Sequence, residues 1–135
     1  MIQRLRIRTS GQGLLEITRE VESVVAEAEL DSGLCTVFVQ HTSASLIIQE
    51  NADPSAKRDL ERWLNRLVAE NDSIFTHTTE GPDDMPAHIK AALTATSIGI
   101  PVLHGVLGLG TWQGIYLWEH RRRGHERSVL VNVGA

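Results

Sequence analysis

Hydrophobic and polar positions along this chain change period repeatedly, and each change marks an element. Ile2 to Arg8 and Leu14 to Thr18 alternate or nearly so, with turn residues Ser10-Gly11-Gln12-Gly13 between them, which predicts an opening hairpin. Val21, Val24, Val25 and Ala28 then recur at helical spacing, with Gly33 as the stop. Cys35 to Gln40 is β-branched and aromatic, and Leu46 to Gln49 reads as its partner strand across the loop at His41-Thr42-Ser43-Ala44. Asp53-Pro54 caps a second helix, whose Leu60, Trp63, Leu64, Leu67 and Val68 form an apolar stripe opposite Lys57, Arg58, Glu61, Arg62 and Arg66. The spacing predicts a third helix from Met85 to Ser97, then strands at Val102 to Leu107, Trp112 to His120 and Arg127 to Val133. Hairpins with intervening helices imply a single compact α+β domain on a mainly antiparallel sheet with three helices.

The strand from Trp112 to His120 sorts its side chains by parity. Gln113, Ile115, Leu117 and Glu119 share one face, and Trp112, Tyr116 and Trp118 the other. Both faces need burial, and self-association is the economical way for a domain of this size to supply it. Two readings of Glu119 stand at this point. It pairs with Arg121, its same-face neighbour, or it serves as a general base or metal-shell carboxylate. On the second reading Glu119→Gln keeps the fold and cuts turnover by about tenfold or more.

A chain of 135 residues fits one domain and can bury a core without disulfides. Its single cysteine, Cys35, cannot form an internal bridge, and no signal-like or membrane-length apolar stretch occurs. The cytoplasm is the default compartment, and no membrane partner is expected. A net charge of −4 argues against broad nucleic-acid binding. The basic run Arg121 to Arg127 reads either as a phosphate grip or as a solvated hairpin loop.

Candidate chemistry concentrates in three places. In GPDDMPAHIK, Gly81 to Lys90, Pro86 suits a first helical turn, Asp84 reads as the N-cap, and His88 lies on the same face as Asp84. The small residues Ala91, Ala92, Ala95 and Gly99 on that face press His88 toward an interior or cleft. In HTSASLIIQEN, His41 ends a strand and Asn51 closes the returning one. His77 stands in a Thr-rich loop with no periodicity to make it core. Imidazoles at element ends suit zinc and other borderline metals, although no compact ligand motif is present.

HTSASLIIQENADPS, GPDDMPAHIKAAL and LGTWQGIYLWEHR, in this order and spacing, resemble the YjbQ-like family, also called secondary thiamine-phosphate synthases. The resemblance covers nearly the whole chain. It implies a homotrimeric α+β protein with a histidine-lined, metal-associated pocket. The activity it implies joins a pyrimidine methyl diphosphate to a thiazole phosphate with loss of diphosphate, beside an open physiological role. His41, Asn51, His77, Asp84, His88, Gln113 and Glu119 fall in matching motif positions. His41, His77 and His88 are the implied ligands of a divalent metal, zinc or magnesium, with Asp84 in its outer shell. Glu119, Asp84, Asn51 and Gln113 are the implied catalytic groups. The expected partner is a small phosphorylated substrate. The chain departs from the family at His104, where Asn is common, and at Thr76, where Tyr often precedes the histidine. Two rival readings are a non-catalytic trimeric module binding a phosphorylated metabolite or metal, and a metal-dependent hydrolase.

Overall fold

A computed structural model describes residues 1–135. It has eight strands and three helices in the order β1 (Ile2–Arg8), β2 (Gly13–Glu16), α1 (Thr18–Ala28), β3 (Ser32–Val39), β4 (Ala44–Glu50), α2 (Pro54–Leu67), α3 (Asp84–Leu93), β5 (Ser97–Leu103), β6 (Val106–Leu107), β7 (Gln113–Glu119) and β8 (Glu126–Gly134). The strands form a five-stranded sheet, β1-β8-β3-β5-β6, and a three-stranded sheet, β2-β7-β4. Every pairing is antiparallel, so the expected α+β class holds. No helix is long and apolar enough to cross a membrane.

The small sheet is a middle layer. One face, with Leu46, Ile115 and Leu117, packs with Val37, Val129 and Val131 of the large sheet and with Val21 and Val24 of α1 into the main core. Its other face, with Leu14, Tyr116 and Trp118, packs against Leu64 and Val68 at the end of α2 and against Ile89 of α3. The parity read from the sequence is correct for the residues inside β7. The inference that a second subunit must cover its aromatic face is not: Tyr116 and Trp118 are buried within the chain, and Trp112, which precedes the strand, is 63% exposed.

Several pairings differ from those the pattern suggests. β1 and β2 are no hairpin, because β1 pairs with β8 and β2 with β7. β4 likewise pairs with β7 and not with β3. Both corrections share a cause: periodicity identifies strands, but the choice between two sheets is made by long-range burial. α1 stops at Glu29 in the left-handed conformation (φ 53°), before Gly33. Gly33 is needed in β3 instead, where a Cβ would come within 2.3 Å of the Gly134 carbonyl oxygen. α3 ends at Leu93, and Ser97 opens β5. His104 (φ 54°) and Gly105 (φ 79°) then break the expected strand into a two-residue hairpin between β5 and β6. Positive φ at both central positions is the signature of a tight hairpin turn and places His104 in that turn rather than in a strand.

α2 begins as the sequence indicates, with Asp53 accepting the Ser55 N–H at 2.9 Å and Pro54 in the first turn. Its stripe is only partly covered. Leu64 and Val68 are buried, while Trp63 and Leu67 are each 55% exposed.

One buried group makes stability pH-dependent. His120 is 1% exposed; its Nε2 pairs with Ser45 Oγ at 2.8 Å, and its Nδ1 has no partner. Burial, with a further push from the Lys90 charge, holds its pKa at about 3 against an ordinary 6.5. Burial also lowers His41. The unfolded chain takes up these protons first, so stability is complete above pH 6.5 and falls as the solution is acidified toward about 3. The loss through His120 is at most about 1.4 kcal/mol per pH unit within that window. Denaturant midpoints at pH 7.5 and pH 5 should show it, and an unchanged midpoint would contradict the neutral buried imidazole.

Candidate metal centre

Asp84, His77 and His88 meet where the loop after α2 runs into α3. Gly81, in a left-handed conformation (φ 102°), turns the chain into the helix. Asp83 is the N-cap and Asp84 the first helical residue, and no side chain caps the helix. The expected cap role of Asp84 is thereby corrected, and its carboxylate is free for other partners. Asp84 Oδ2 lies 2.9 Å from His77 Nε2 and 3.2 Å from His88 Nε2, the second contact being the i, i+4 pair read from the sequence. The two rings meet edge to face, with centroids 5.4 Å apart. The Asp84 side chain is 7% exposed, His77 51% and His88 32%. A buried carboxylate thus forms the floor and two imidazoles the rim. His77 also lines a cavity of about 330 Å³ with Phe75, Pro82 and Met85.

The other carboxylate oxygen is held from the opposite side. Arg121 donates from Nη1 to Asp84 Oδ1 at 3.0 Å, from Nε to Asp83 Oδ2 at 2.9 Å, and from Nη2 to the Glu80 carbonyl at 2.8 Å. The Arg122 N–H adds 2.9 Å to Asp83 Oδ2. Burial pushes the Asp83 carboxyl up, but these hydrogen bonds outweigh it and hold the group at about 2. The basic run is therefore no hairpin, although Arg122 and Arg123 within it are solvent-exposed. It crosses from one sheet to the other, and Arg121 and Arg122 are spent on carboxylates, Arg122 through its side chain on Glu70.

The profile of the family described as UPF0047 protein YjbQ-like matches residues 3–135. The chain belongs to the YjbQ/UPF0047 family. A Synechocystis relative, UPF0047 protein sll1880, is 55% identical over 129 residues, covering 96% of this chain and 88% of its own. The UPF0047 protein YjbQ of Escherichia coli is 39% identical over 130 residues, covering 96% and 94%. A hypothetical protein from Aeropyrum pernix shares the fold with a TM-score of 0.90 at 26% identity, over 100% of this chain and 98% of that one. A YjbQ/UPF0047 protein from Clostridium acetobutylicum, described as uncharacterized, gives a TM-score of 0.86 at 34% identity over 99% of both chains.

Within this YjbQ/UPF0047 chain the seven sequence-derived site residues do not form one site. His77, Asp84 and His88 are the group whose ligand atoms all lie within 4.8 Å of one another. His41 is outside it: its Nε2 accepts the Ser128 N–H at 2.8 Å, and it sits in the field of Arg127, Glu119 and His125. The third potential donor beside the two imidazoles is Asp84, in place of His41. Glu119 is 1% exposed and fully committed. Its Oε1 accepts from Thr9 Oγ1 at 2.6 Å and Arg127 Nε at 2.8 Å, and its Oε2 from Arg127 Nη2 and from the Arg121 N–H at 3.1 Å. The pairing expected with the Arg121 side chain is made by Arg127 instead, and both carboxylate oxygens already accept two hydrogen bonds each. Asn51 and Gln113 are exposed at the other end of β7, about 20 Å from Glu119 at the usual rise of a strand. Asn51 donates to Glu16 Oε2 and Gln113 accepts the Gly110 N–H. Both line a cavity of about 730 Å³, together with Arg19 and Ser23 of α1. That cavity is larger than the one at His77, but no group of metal donors converges in it.

Asp83 escaped the sequence reading as a functional position, Arg121 entered it only as part of a phosphate grip or as a partner of Glu119, and Arg127 only as the end of the basic run. A signal was present for the first two: adjacent carboxylates in a segment destined for burial require a cation, and Arg121 is the first of the only arginine run.

Proposed function

We propose that His77, Asp84 and His88 hold a divalent metal and that the protein is a metal-dependent enzyme acting on a small phosphorylated substrate. The observation that carries this reading is the donor set itself, two imidazoles and one carboxylate within 4.8 Å of one another, of which His77 also lines a cavity. Ligands bound at about 2.0–2.1 Å in a tetrahedron stand roughly 3.3 Å apart, so contacts of 2.9 and 3.2 Å need only a slight opening to fit. Two nitrogen donors favour zinc over magnesium, which prefers oxygen alone. A metal in such a site supplies Lewis acidity toward phosphoryl oxygens. Asp84 would anchor the charge from the buried side, and the half-exposed His77 and His88 would leave the outer side open to substrate.

The finer reading, supported by family resemblance, is the secondary thiamine-phosphate synthase reaction. A metal-dependent hydrolase is the second reading, and one observation favours it. Arg121 and Arg122 are paired with carboxylates and Lys90 is buried against Asn65, which leaves the exposed Arg123 as the one unpaired arginine of the 121–123 run available to grip a diphosphate. Incubation of zinc-loaded protein with the two phosphorylated heterocycles, with and without chelator, separates the readings. Chelator-sensitive thiamine phosphate supports the synthase, and chelator-sensitive release of phosphate without coupling supports the hydrolase. Absence of any turnover would leave a binding module.

We also propose a homotrimer, in keeping with the resemblance. Trp63 and Leu67 on α2, flanked by Arg58, Arg62 and Arg66, are the apolar surface such an assembly would cover. Light scattering should return three times the 14.9 kDa chain mass, and the monomer mass at micromolar concentration would exclude it.

A further inference from the structure

We infer that Arg121 is a positioning residue that fixes Asp84 as a one-oxygen metal ligand and thereby sets the affinity and coordination number of the site. The inference rests on the metal reading above. Its basis is a division of labour between the two oxygens of one carboxylate. Asp84 Oδ2 faces both imidazoles, at 2.9 and 3.2 Å, whereas Oδ1 is taken by Arg121 Nη1 at 3.0 Å. An oxygen that already accepts a charge-assisted hydrogen bond is a poor second donor to a cation, so the carboxylate is steered to bind through Oδ2 alone.

What makes Arg121 suited to this is how firmly it is held. Its guanidinium reaches three acceptors on the Glu80–Asp84 turn, and its own N–H donates to Glu119 Oε2 at 3.1 Å. Glu119 is in turn locked by Thr9 and Arg127 in the core. A continuous set of contacts, buried at Glu119 and part-buried at Arg121, therefore runs from the seam between the two sheets to Asp84. The planar fork of arginine is essential to it, because a lysine ammonium cannot reach three acceptors with the same geometry.

The experiment compares the parent with Arg121→Gln, Arg121→Lys and His88→Ala, each checked for folding by circular dichroism. Zinc affinity is read by competition with a chromophoric chelator, and the visible spectrum is recorded on cobalt-substituted protein. Arg121→Gln and Arg121→Lys should bind zinc about tenfold to a hundredfold more weakly. Their cobalt bands should also lose intensity as Asp84 adds its second oxygen. Methylguanidinium should partly restore both readouts in Arg121→Gln. A residue that merely staples the loop would lower the melting temperature and leave the cobalt spectrum of the folded protein unchanged, which would overturn the inference. If Arg121→Gln does not fold, the lysine variant, which keeps the charge, carries the same decision. A parent that binds no zinc would overturn the metal reading itself, whereas a parent that binds and folded Arg121 variants that match it would overturn only the role given to Arg121.

Discussion

His88→Ala is expected to purify with almost none of the zinc that the untagged parent retains, while keeping the parent's fold. The helix does not need the imidazole: α3 is anchored by buried Ala87 and Ala91 and by the Arg121 contacts to the turn before it. Removing one of three protein donors from a site open on its outer side removes a third of its ligand set, with no neighbour in place to substitute. His41 is not such a neighbour, since its Nε2 is bonded to the Ser128 N–H. His41→Ala is therefore expected to keep its metal. The pair of variants is decisive when both are assayed by elemental analysis on one preparation. Loss of zinc from His41→Ala but not from His88→Ala would remove this cluster from consideration as the metal site.

Glu119→Gln should unfold far more easily than the parent, by about 3–5 kcal/mol, because it leaves Arg127 buried without its counter-charge. Arg127 is 4% exposed, and its remaining partners are the hydroxyl and carbonyl of Ser43. Glutamine would also turn an amide NH₂ toward a guanidinium or a backbone N–H, a donor facing a donor. A loss of that size corresponds to a drop of about ten degrees or more in melting temperature for a chain of this length. The acid limb supplies an independent check. Burial pushes the Glu119 carboxyl up, but hydrogen bonds from Arg127, Thr9 and the Arg121 N–H outweigh it and leave the group below its ordinary 4.5. Its contribution is therefore present above 4.5 and disappears as pH falls through the folded value, a limb the glutamine variant should lack. A variant that melts with the parent would show the ion pair to be dispensable. The expectation drawn from strand parity, a stable protein with impaired turnover, is replaced by this one.

The difference between those two expectations shows what was legible in the chain. Parity correctly placed Glu119 on the apolar face of β7, and helical spacing correctly placed Asp84 beside His88. Both are local periodicities, set by backbone geometry within a few residues. Neither could say that Arg127 would arrive opposite Glu119, because that depends on β8 entering the other sheet. The same limit split the candidate site. Asn51, Gln113, His41 and the acid–histidine segment share polar character and motif positions, but strand length alone separates the first two from the rest. Arg121 was hidden in this role for a related reason. It lies in a run that, read by composition, resembles solvated loops, and its acidic partners precede it in the chain by 37 and 38 residues.

From Val68 to Asp83 the backbone adopts neither helix nor strand. Few bonds stabilise this stretch from within, chiefly Phe75 N–H to the Asp72 carbonyl and Ile74 N–H to Asp72 Oδ1, and Ile74 is 79% exposed. His77 pins its far end to Asp84 at 2.9 Å. A cation shared by those two residues would therefore close the segment into a tethered loop, and local opening there would compete directly with cation binding. In a cell, scarcity of the ion would then be felt first as proteolytic nicking near Ile74, so that turnover of the polypeptide itself would report metal supply.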